Sequence, residues 1–192
     1  SLFFVSVACR PPALIYPPDD SLRKIQDEFL MERLMALGAN GDWLVSRGYH
    51  NTDQLVVTAT ATPLSHVAVL DKDGLQVIES ESKGVHTTPL AEFIHKSHRI
   101  LLIRPLSSPA DRRAEAVRRA LGLVGKPYDY MGLLGMNDPG RFYCSELAMH
   151  VYNIYQSRDD AIPPIIEPGQ MYLWRQVLFD SRPRHWHWPE LP

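Results

Sequence analysis

One of the two cysteines of this 192-residue chain lies where a nucleophile could act. Cys144 is the third residue of FYCSELAMHVY, and the polar residues Ser145 and Glu146 follow it before an apolar face begins. This pattern predicts a helix that begins at Cys144, and the unpaired N–H groups of a helix start lower the pKa of a thiol. Cysteine is also a common small packing residue in protein cores, so position alone leaves both interpretations open.

A histidine that could serve as the base begins the apolar segment SHVAVL. The stretch SHVAVLDKDGLQVIESE predicts a hairpin whose turn lies in DKDG. A turn at residues 72–73 places Glu79 directly across from His66, and a turn at residues 73–74 places Glu81 there. We prefer Glu79, because it lies at the buried end of its strand. Either carboxylate would fix the tautomer of the imidazole, as the third member of a catalytic triad does. The alternatives to a catalytic role are a neutral histidine in the core and a plain cross-strand ion pair.

The other histidines do not indicate a metal site. His185 and His187 alternate with tryptophans in the C-terminal tail, a spacing that a metal site can use, but no carboxylate or cysteine cluster joins them. A surface aromatic clamp is therefore the preferred interpretation of the tail. We expect neither a metal nor another cofactor.

The rest of the chain predicts the elements that must position these residues. Helices are predicted at 21–37 with Ser21 as the cap, 89–96, 108–125 and 144–156, and further strands at 41–46 and 99–106. The segment QLVVTATATP fits either a strand or a buried helix, and the tail from residue 161 is expected to wrap the domain. Helices and antiparallel strands come in separate runs, which is typical of an α+β fold.

Composition limits the classes of partner. The net charge of −2 and the pI of about 6.4 give no reason to expect nucleic acid or an anionic membrane. Hydrophobic residues make up 45% and charged residues 22%, as in ordinary globular proteins. No apolar run reaches the roughly 18 residues that a membrane span requires.

The N-terminal segment, residues 1–20, is expected to be extended and separate from a single domain over 21–192. Its start, SLFFVSVACRPP, is typical of the end of a secretory signal peptide, which predicts a cell-envelope, periplasmic or secreted protein, with the cytoplasm as the alternative. Cys9 follows Ala8 as the lipid-modified cysteine of bacterial lipoproteins does, although Ser6 stands where leucine is usual. Membrane association is expected only if Cys9 is lipidated, and the segment could also cover the cleft.

Six motifs in this order resemble the YiiX/YebB-like permuted papain-fold hydrolases of the NlpC/P60 superfamily: GDWLVS, SHVAVL, VIES, TPLAEFI, GKPYDY and FYCSELAMHVY. The resemblance runs from about residue 41 to about residue 173, where EPGQMYL closes it. It implies a circularly permuted papain-like fold in which an antiparallel sheet packs against helices. It also implies that Cys144 is the nucleophile, His66 the base and Glu79 the third polar residue.

The same resemblance implies the cleft residues. Tyr128 and Asp129 of GKPYDY match a segment that lines the cleft, and Tyr143 precedes the nucleophile as in the family. The backbone N–H of Cys144 is then a candidate oxyanion donor. These positions complete the set of candidate substrate-binding residues.

The function implied is a cysteine amidase or peptidase that cleaves an amide bond, chiefly in peptidoglycan stem peptides, through an acyl-enzyme. One alternative is a lipid acyltransferase or thioesterase of the branch similar to lecithin retinol acyltransferase. That branch uses a second histidine, for which His86 is the nearest candidate although it lies beyond the hairpin, and it predicts an apolar pocket lined by residues 130–134. Another alternative is a binding module without catalysis. The partner is accordingly a peptide or acyl-amide substrate, either a peptidoglycan fragment or a lipid.

Overall fold

The structure of the chain, a computed structural model, describes residues 15–105, 109–136, 138–154 and 165–185. The helices in these ranges are α1 Asp20–Leu37, α2 Asn51–Thr60, α3 Leu90–His95, α4 Ala110–Gly122 and α5 Cys144–His150. The strands are β1 Trp43–Gly48, β2 His66–Asp71, β3 Gln76–Glu81, β4 Gly84–Pro89, β5 Ser97–Pro105 and β6 Arg175–Asp180. Short 3₁₀ turns lie at Gly132–Leu134 and Pro168–Trp174.

The strands of the described ranges form one antiparallel sheet in the order β4-β3-β2-β1-β5-β6. Every residue of β1 is buried, because helices cover both faces of the sheet at this central strand. Alternate residues therefore enter two different cores, as the period of a strand requires. The fold is α+β, as the sequence predicts.

Each face of the sheet has its own hydrophobic core. The first core joins one face of the sheet to α4 and α5: Trp43, Val45, Val67, Val69, Ile103, Val117, Cys144 and Leu147 are among its members. The second core joins the other face to α1 and α3: Leu30, Leu34, Leu44, Leu70, Phe93 and Leu102 are among its members. The Cys144 helix and the helix that precedes β5 are thus fixed to opposite sides of the same strands.

The helices differ from the sequence prediction at the cap of α1 and in the burial of α2. Asp19, and not Ser21, caps α1, because its carboxylate accepts the Leu22 N–H at 3.0 Å. Residues 54–60 of the ambiguous segment 54–63 lie in α2, so the strand alternative is wrong, and none of the residues of this helix is buried, so the buried helix is wrong as well. At the start of α1, the Ser21 hydroxyl donates to the Asp19 carboxylate, and this carboxylate is the group that accepts the Leu22 N–H.

Two strands were not predicted from the sequence. β4 pairs with β3, and β6 pairs with β5 at the other edge of the sheet. Both edge strands carry polar residues and lack an apolar run as long as that of β2, which is why the apolar pattern of the sequence does not predict them. The predicted helix 144–156 is shorter than expected, since α5 ends at His150 and residues 155 and 156 lie outside the described ranges.

One buried arginine holds the C-terminal segment against the rest of the domain. The side chain of Arg184 is fully buried, and its guanidinium lies beside the Asp27 carboxylate at 2.5 Å. It also donates to four further oxygens at 3.0 Å, those of Gln26 Oε1 and the backbone carbonyls of Ile94, Ser97 and Arg23. The tail therefore packs on α1 and α3 through residue 185, whereas His187 lies outside the described residues.

The expectations for the N-terminal segment fall mostly outside the described residues, since residues 1–14, with Cys9, are not among them. Residues 15–19 are irregular and lead into α1. Across the ranges that the structure describes, no helix has the length and apolar character that crossing a membrane would take.

Candidate active site

Cys144 is the first residue of α5, and its side chain is 8% exposed. The extended backbone of Tyr143 precedes it, and hydrogen bonds fix the chain on both sides. Ser80 donates its hydroxyl to the Phe142 carbonyl at 2.6 Å, and Ser145 donates to the Ile166 carbonyl at 2.5 Å. The thiol is therefore held between β3 and the segment before the second 3₁₀ turn.

His66 contacts both of the groups that the sequence pairs with it. Its Nε2 lies 2.7 Å from Glu79 Oε2, and its side chain also makes a hydrogen bond with Cys144. Because Nε2 is engaged by the carboxylate, Nδ1 is the nitrogen left to face the thiol. The structure thus brings Cys144, His66 and Glu79 into one chain of hydrogen bonds.

The observed register is the second of the two that the sequence allows, the one with its turn at residues 73–74, and not the preferred one. The strands pair Ala68 with Glu79 and Asp71 with Gln76, so Glu79 lies diagonally from His66 rather than directly across from it. The reason is a four-residue turn at 72–75, which Asp71 stabilises by accepting the Gly74 N–H at 3.2 Å. A glutamate is long enough to reach a diagonal neighbour on the same face of a sheet.

The pKa shifts of this group favour an ion pair between Cys144 and His66. Burial alone would lower the pKa of His66, yet its hydrogen bonds to Cys144 and Glu79 raise that pKa well above the usual value. Burial alone would raise the pKa of the Cys144 thiol, but the hydrogen bond and charge of His66 and the N–H of Val67 lower it. The proton therefore favours the imidazole over the sulfur.

Glu79 is the centre of the buried polar network. The side chain is fully buried; its Oε1 accepts the Thr88 hydroxyl at 2.5 Å and the Lys96 ammonium at 2.8 Å. Burial would raise the pKa of Glu79, but the His66 hydrogen bond, the nearby His86 and the Lys96 charge hold it well below the usual value. An ionised carboxylate can remain in this position because several donors surround it.

Glu81 and His86, the other two candidates for the third residue, lie beside this network. His86 is on β4 opposite Glu79, and its Nε2 is 3.5 Å from Glu79 Oε1 and from Glu81 Oε2. Glu81 Oε1 accepts Lys96 Nζ at 3.0 Å. Of the three candidates, Glu79 is the one that the structure hydrogen-bonds to His66.

Lys96 and Thr88 were missed by sequence reasoning, because each belongs to an element whose place beside β3 was not predicted. Thr88 is on β4, and Lys96 follows the last residue of α3. The alternating, β-branched segment GVHTTP is the signal that would have predicted β4 and placed Thr88 on the same face as Glu79.

Of the three candidate substrate-binding residues, the two tyrosines line the cleft and Asp129 does not. Tyr128 and Tyr143 line the cleft, and the Tyr143 hydroxyl accepts the Ile166 N–H at 3.1 Å. Burial and the charge of Cys144 raise the pKa of Tyr128, so its phenol stays protonated. Asp129 lies beneath the cleft, fully buried, and accepts the backbone N–H groups of Met131, Gly132 and Asp138 at 3.1, 2.8 and 3.1 Å.

The cleft beside Cys144 has a volume of about 680 Å³ and is lined by both apolar and polar side chains. Its apolar lining comes from α2 and from the segments after α4 and before the second 3₁₀ turn: Leu55, Val56, Tyr130, Leu133, Ile165 and Ile166. Its polar lining includes Asp53 of α2 together with Ser65, Glu81, Glu92 and Lys96. The cavity can therefore hold a substrate with one apolar and one polar portion.

One group of side chains in the described residues has the composition of a metal site. Potential ligand atoms of His66, Glu79 and Glu81 lie within 4.8 Å of one another, and one imidazole with two carboxylates is a donor set that divalent metals use. The Lys96 ammonium, however, already lies between the two carboxylates at 2.8 and 3.0 Å. A metal ion would have to displace this cation and the His66–Glu79 hydrogen bond, so the group does not fit a metal as it stands.

Comparisons with known proteins identify the family of the chain. The model of the permuted papain-like amidase family, YaeF/YiiX, C92, matches residues 40–163. A solved structure described as metalloprotein yiiX from Escherichia coli O157:H7 has a TM-score of 0.52 and 23% sequence identity, and the match covers 62% of this chain and 67% of that chain. A search of curated proteins found no match. The chain is therefore a member of the YaeF/YiiX family of permuted papain-like amidases, with the α+β fold of that family.

Proposed function

We propose that the chain is a cysteine amidase that cleaves an amide bond through an acyl-enzyme, with Cys144 as nucleophile, His66 as base and Glu79 as the group that orients the base. The observation that carries the proposal is the hydrogen-bonded series in which His66 contacts Cys144 on one side and the buried Glu79, at 2.7 Å, on the other. Family membership supports amide hydrolysis as the class of reaction.

The first half of the reaction forms the acyl-enzyme. The Cys144 thiolate attacks the carbonyl carbon, a C–S bond forms, and the carbonyl oxygen takes the negative charge. Two donors are available near the sulfur to stabilise that oxygen: the Cys144 N–H at the helix start and the protonated phenol of Tyr128. The His66 imidazolium then gives its proton to the leaving amine as the C–N bond breaks.

The second half restores the enzyme. Neutral His66 takes a proton from water, the resulting hydroxide attacks the thioester carbonyl, and the C–S bond breaks to leave the Cys144 thiolate and a carboxylic acid. Glu79 remains ionised throughout, because Thr88 and Lys96 donate to its other oxygen. Its charge stabilises each imidazolium that forms in the cycle.

Peptidoglycan stem peptides are our first proposal for the substrate. The polar lining of the cleft offers carboxylates and one ammonium, a mixture suited to the charged groups of a peptide. The residues involved, among them Glu81, Glu92 and Lys96, lie on the hairpin side of Cys144.

An aliphatic acyl chain is the second candidate, and a specific observation favours it. Tyr130 and Leu133, within the segment 130–134 from which the sequence predicted an acyl pocket, line the cleft together with Leu55 of α2. An acyl group on Cys144 could extend between these side chains. The reaction would then be acyl transfer or thioester hydrolysis with the same cysteine and histidine.

Intact-mass spectrometry distinguishes the two substrates and a third possibility, a binding module. The Cys9→Ser chain would be exposed separately to muropeptides and to long-chain acyl amides, with Cys144→Ala as the control. We expect a mass increase on Cys144, and release of amine, with muropeptides. A long-chain adduct alone would support the second candidate, and ligand binding without adduct or turnover on either panel would contradict an enzyme.

A metal is not part of the proposed reaction. The relative of solved structure is described as a metalloprotein, but in this chain Lys96 lies where a cation bridging Glu79 and Glu81 would bind. The ammonium supplies the positive charge that this pair of carboxylates requires, and no step is routed through a metal.

A further inference from the structure

A loop at the mouth of the cleft exposes an unusual number of large apolar side chains. Within residues 130–136, called here the apolar loop, five side chains are between 43% and 69% exposed: Tyr130, Met131, Leu133, Leu134 and Met136. Leu134 is the most exposed of them at 69%. A contiguous apolar surface of this kind marks an interaction site rather than the scattered exposure of ordinary surfaces.

Five backbone N–H groups of the apolar loop have hydrogen-bond partners within the chain. The buried Asp129 carboxylate accepts the N–H groups of residues 131 and 132. The amides of residues 134 and 136 donate to the Met131 carbonyl, and that of residue 135 donates to Gly132. In hydrocarbon an unpaired N–H is costly, so these five bonds lower the cost of placing the loop in a bilayer.

Cations flank the base of the apolar loop. The Val85 N–H donates to the Lys126 carbonyl at 2.8 Å, and the Tyr130 hydroxyl donates to the Ser82 carbonyl at 3.2 Å. These bonds hold the turn that contains Lys83 beside Lys126, and both lysines are exposed. Arg141 also lies near, but it pairs with Asp138 at 3.1 Å. Lysines beside an apolar tip match the anionic headgroups that surround the hydrocarbon of a membrane.

We propose that the apolar loop docks on a phospholipid bilayer with anionic headgroups. Leu133, Leu134 and Met136 enter the outer hydrocarbon, and Lys83 and Lys126 lie at the level of the phosphates. Because Tyr130 and Leu133 also line the cleft, docking would bring the mouth of the cleft to the membrane surface. This contact needs neither lipidation of Cys9 nor a membrane-spanning helix, and it does not depend on the chemistry of Cys144.

Co-sedimentation with vesicles tests the proposal on the whole chain carrying Cys144→Ala, so that failure of the proposed reaction cannot affect the result. Vesicles of phosphatidylcholine with about 30 mol% phosphatidylglycerol should bind the protein, and Leu134→Asp should lower the partition coefficient at least about tenfold. The double variant Lys83→Ala, Lys126→Ala should weaken binding to these vesicles several-fold more than binding to pure phosphatidylcholine.

Leu75→Asp is the matched control. Leu75 is 55% exposed and lies in the β2–β3 turn, at the end of the hairpin opposite His66, so its replacement should leave binding unchanged. A second measurement places an environment-sensitive dye on Leu134→Cys or Leu75→Cys in a Cys9→Ser, Cys144→Ala chain. Vesicles should shift the emission to the blue only at position 134.

Three results would overturn the proposal. The chain could fail to bind vesicles, or it could bind them equally well with Leu134→Asp, which would assign the contact to another segment such as residues 1–8. The third result is a dimer that Leu134→Asp dissociates, with no vesicle binding by the unaltered chain. The apolar loop would then be an interface between proteins.

Discussion

At the scale of single residues, the chemistry depends on one buried carboxylate. Glu79 contacts His66 at 2.7 Å, Lys96 at 2.8 Å and Thr88 at 2.5 Å, and it has no exposed surface. Its charge has two consequences. In the proposed mechanism it holds the proton on His66 and so favours the thiolate of Cys144, and its lowered pKa makes the folded state sensitive to acid.

Glu79→Gln should lower kcat/KM for any accepted amide by about a thousandfold, because the amide orients the imidazole without stabilising the imidazolium. The pKa of Cys144 should rise in the same variant. Steady-state kinetics and the pH dependence of alkylation measure the two effects. Glu115→Gln, on α4 and not among the residues that line the cleft, is the control and should change kcat/KM much less. Equal losses in both variants would contradict the role of Glu79.

The free energy of unfolding should depend on pH through Glu79. Its pKa is lowered in the folded state from the ordinary value of 4.5, so the stabilisation is present above that pH and is lost as the pH falls toward the folded value. The difference in unfolding free energy between the unaltered chain and Glu79→Gln should therefore shrink between about pH 5 and pH 3. Urea unfolding at several pH values measures it. A difference that grows on acidification would contradict the assignment.

At the scale of elements, the sequence predicts the parts of the site better than their alignment. The apolar run after His66 and the polar residues after Cys144 correctly predict a strand start and a helix start. The sequence allows two registers, and the structure has the one that was not preferred, with its turn at residues 73–74. The choice between them depends on a turn of four residues with Leu75 at a φ of +50°, which the apolar pattern does not determine. The positions of Lys96 and Thr88 depend on β4 and α3 packing beside β3, contacts that no local pattern encodes.

Arg184→Met should destabilise the fold by about 3–5 kcal/mol, because it leaves several buried carbonyls and one oxygen of Asp27 without their donor, while His95 still contacts the other oxygen of Asp27 at 2.7 Å. The loss should appear in the unfolding free energy while alkylation of the folded protein stays unchanged, since Arg184 is not among the residues that line the cleft. Arg182→Met, at a side chain 77% exposed, is the control and should cost less than about 0.5 kcal/mol. Similar losses in both would contradict the anchoring role.

At the scale of the whole molecule, the sheet carries the Cys144 helix on one face and the helix that leads to Lys96 on the other. α5 packs in the first core and α3 in the second, and their ends meet around His66 and Glu79. The cleft and the apolar loop lie at that same end. Family membership and the α+β class could be predicted from the order of the motifs, whereas the shape of the cleft could not, because α2 and the apolar loop have no core pattern.

Removal of divalent metals should not change activity, because Lys96 provides the cation between Glu79 and Glu81. Activity after treatment with a chelator, and metal content by elemental mass spectrometry, measure this. Lys96→Ala is the informative comparison, since removal of the ammonium frees both carboxylates to bind added zinc. A loss of activity on chelation that zinc restores in the unaltered chain would show that a metal takes part.

The alkylation rate of Cys144 as a function of pH tests the central claim most directly. It would be measured in a Cys9→Ser chain with and without His66→Ala. The Cys144–His66 ion pair predicts a rate that stays high well below the ordinary thiol pKa of about 8.5 and loses this plateau when His66 is replaced. An ordinary thiol titration in both chains would contradict it, and Cys144 would then be a packing residue.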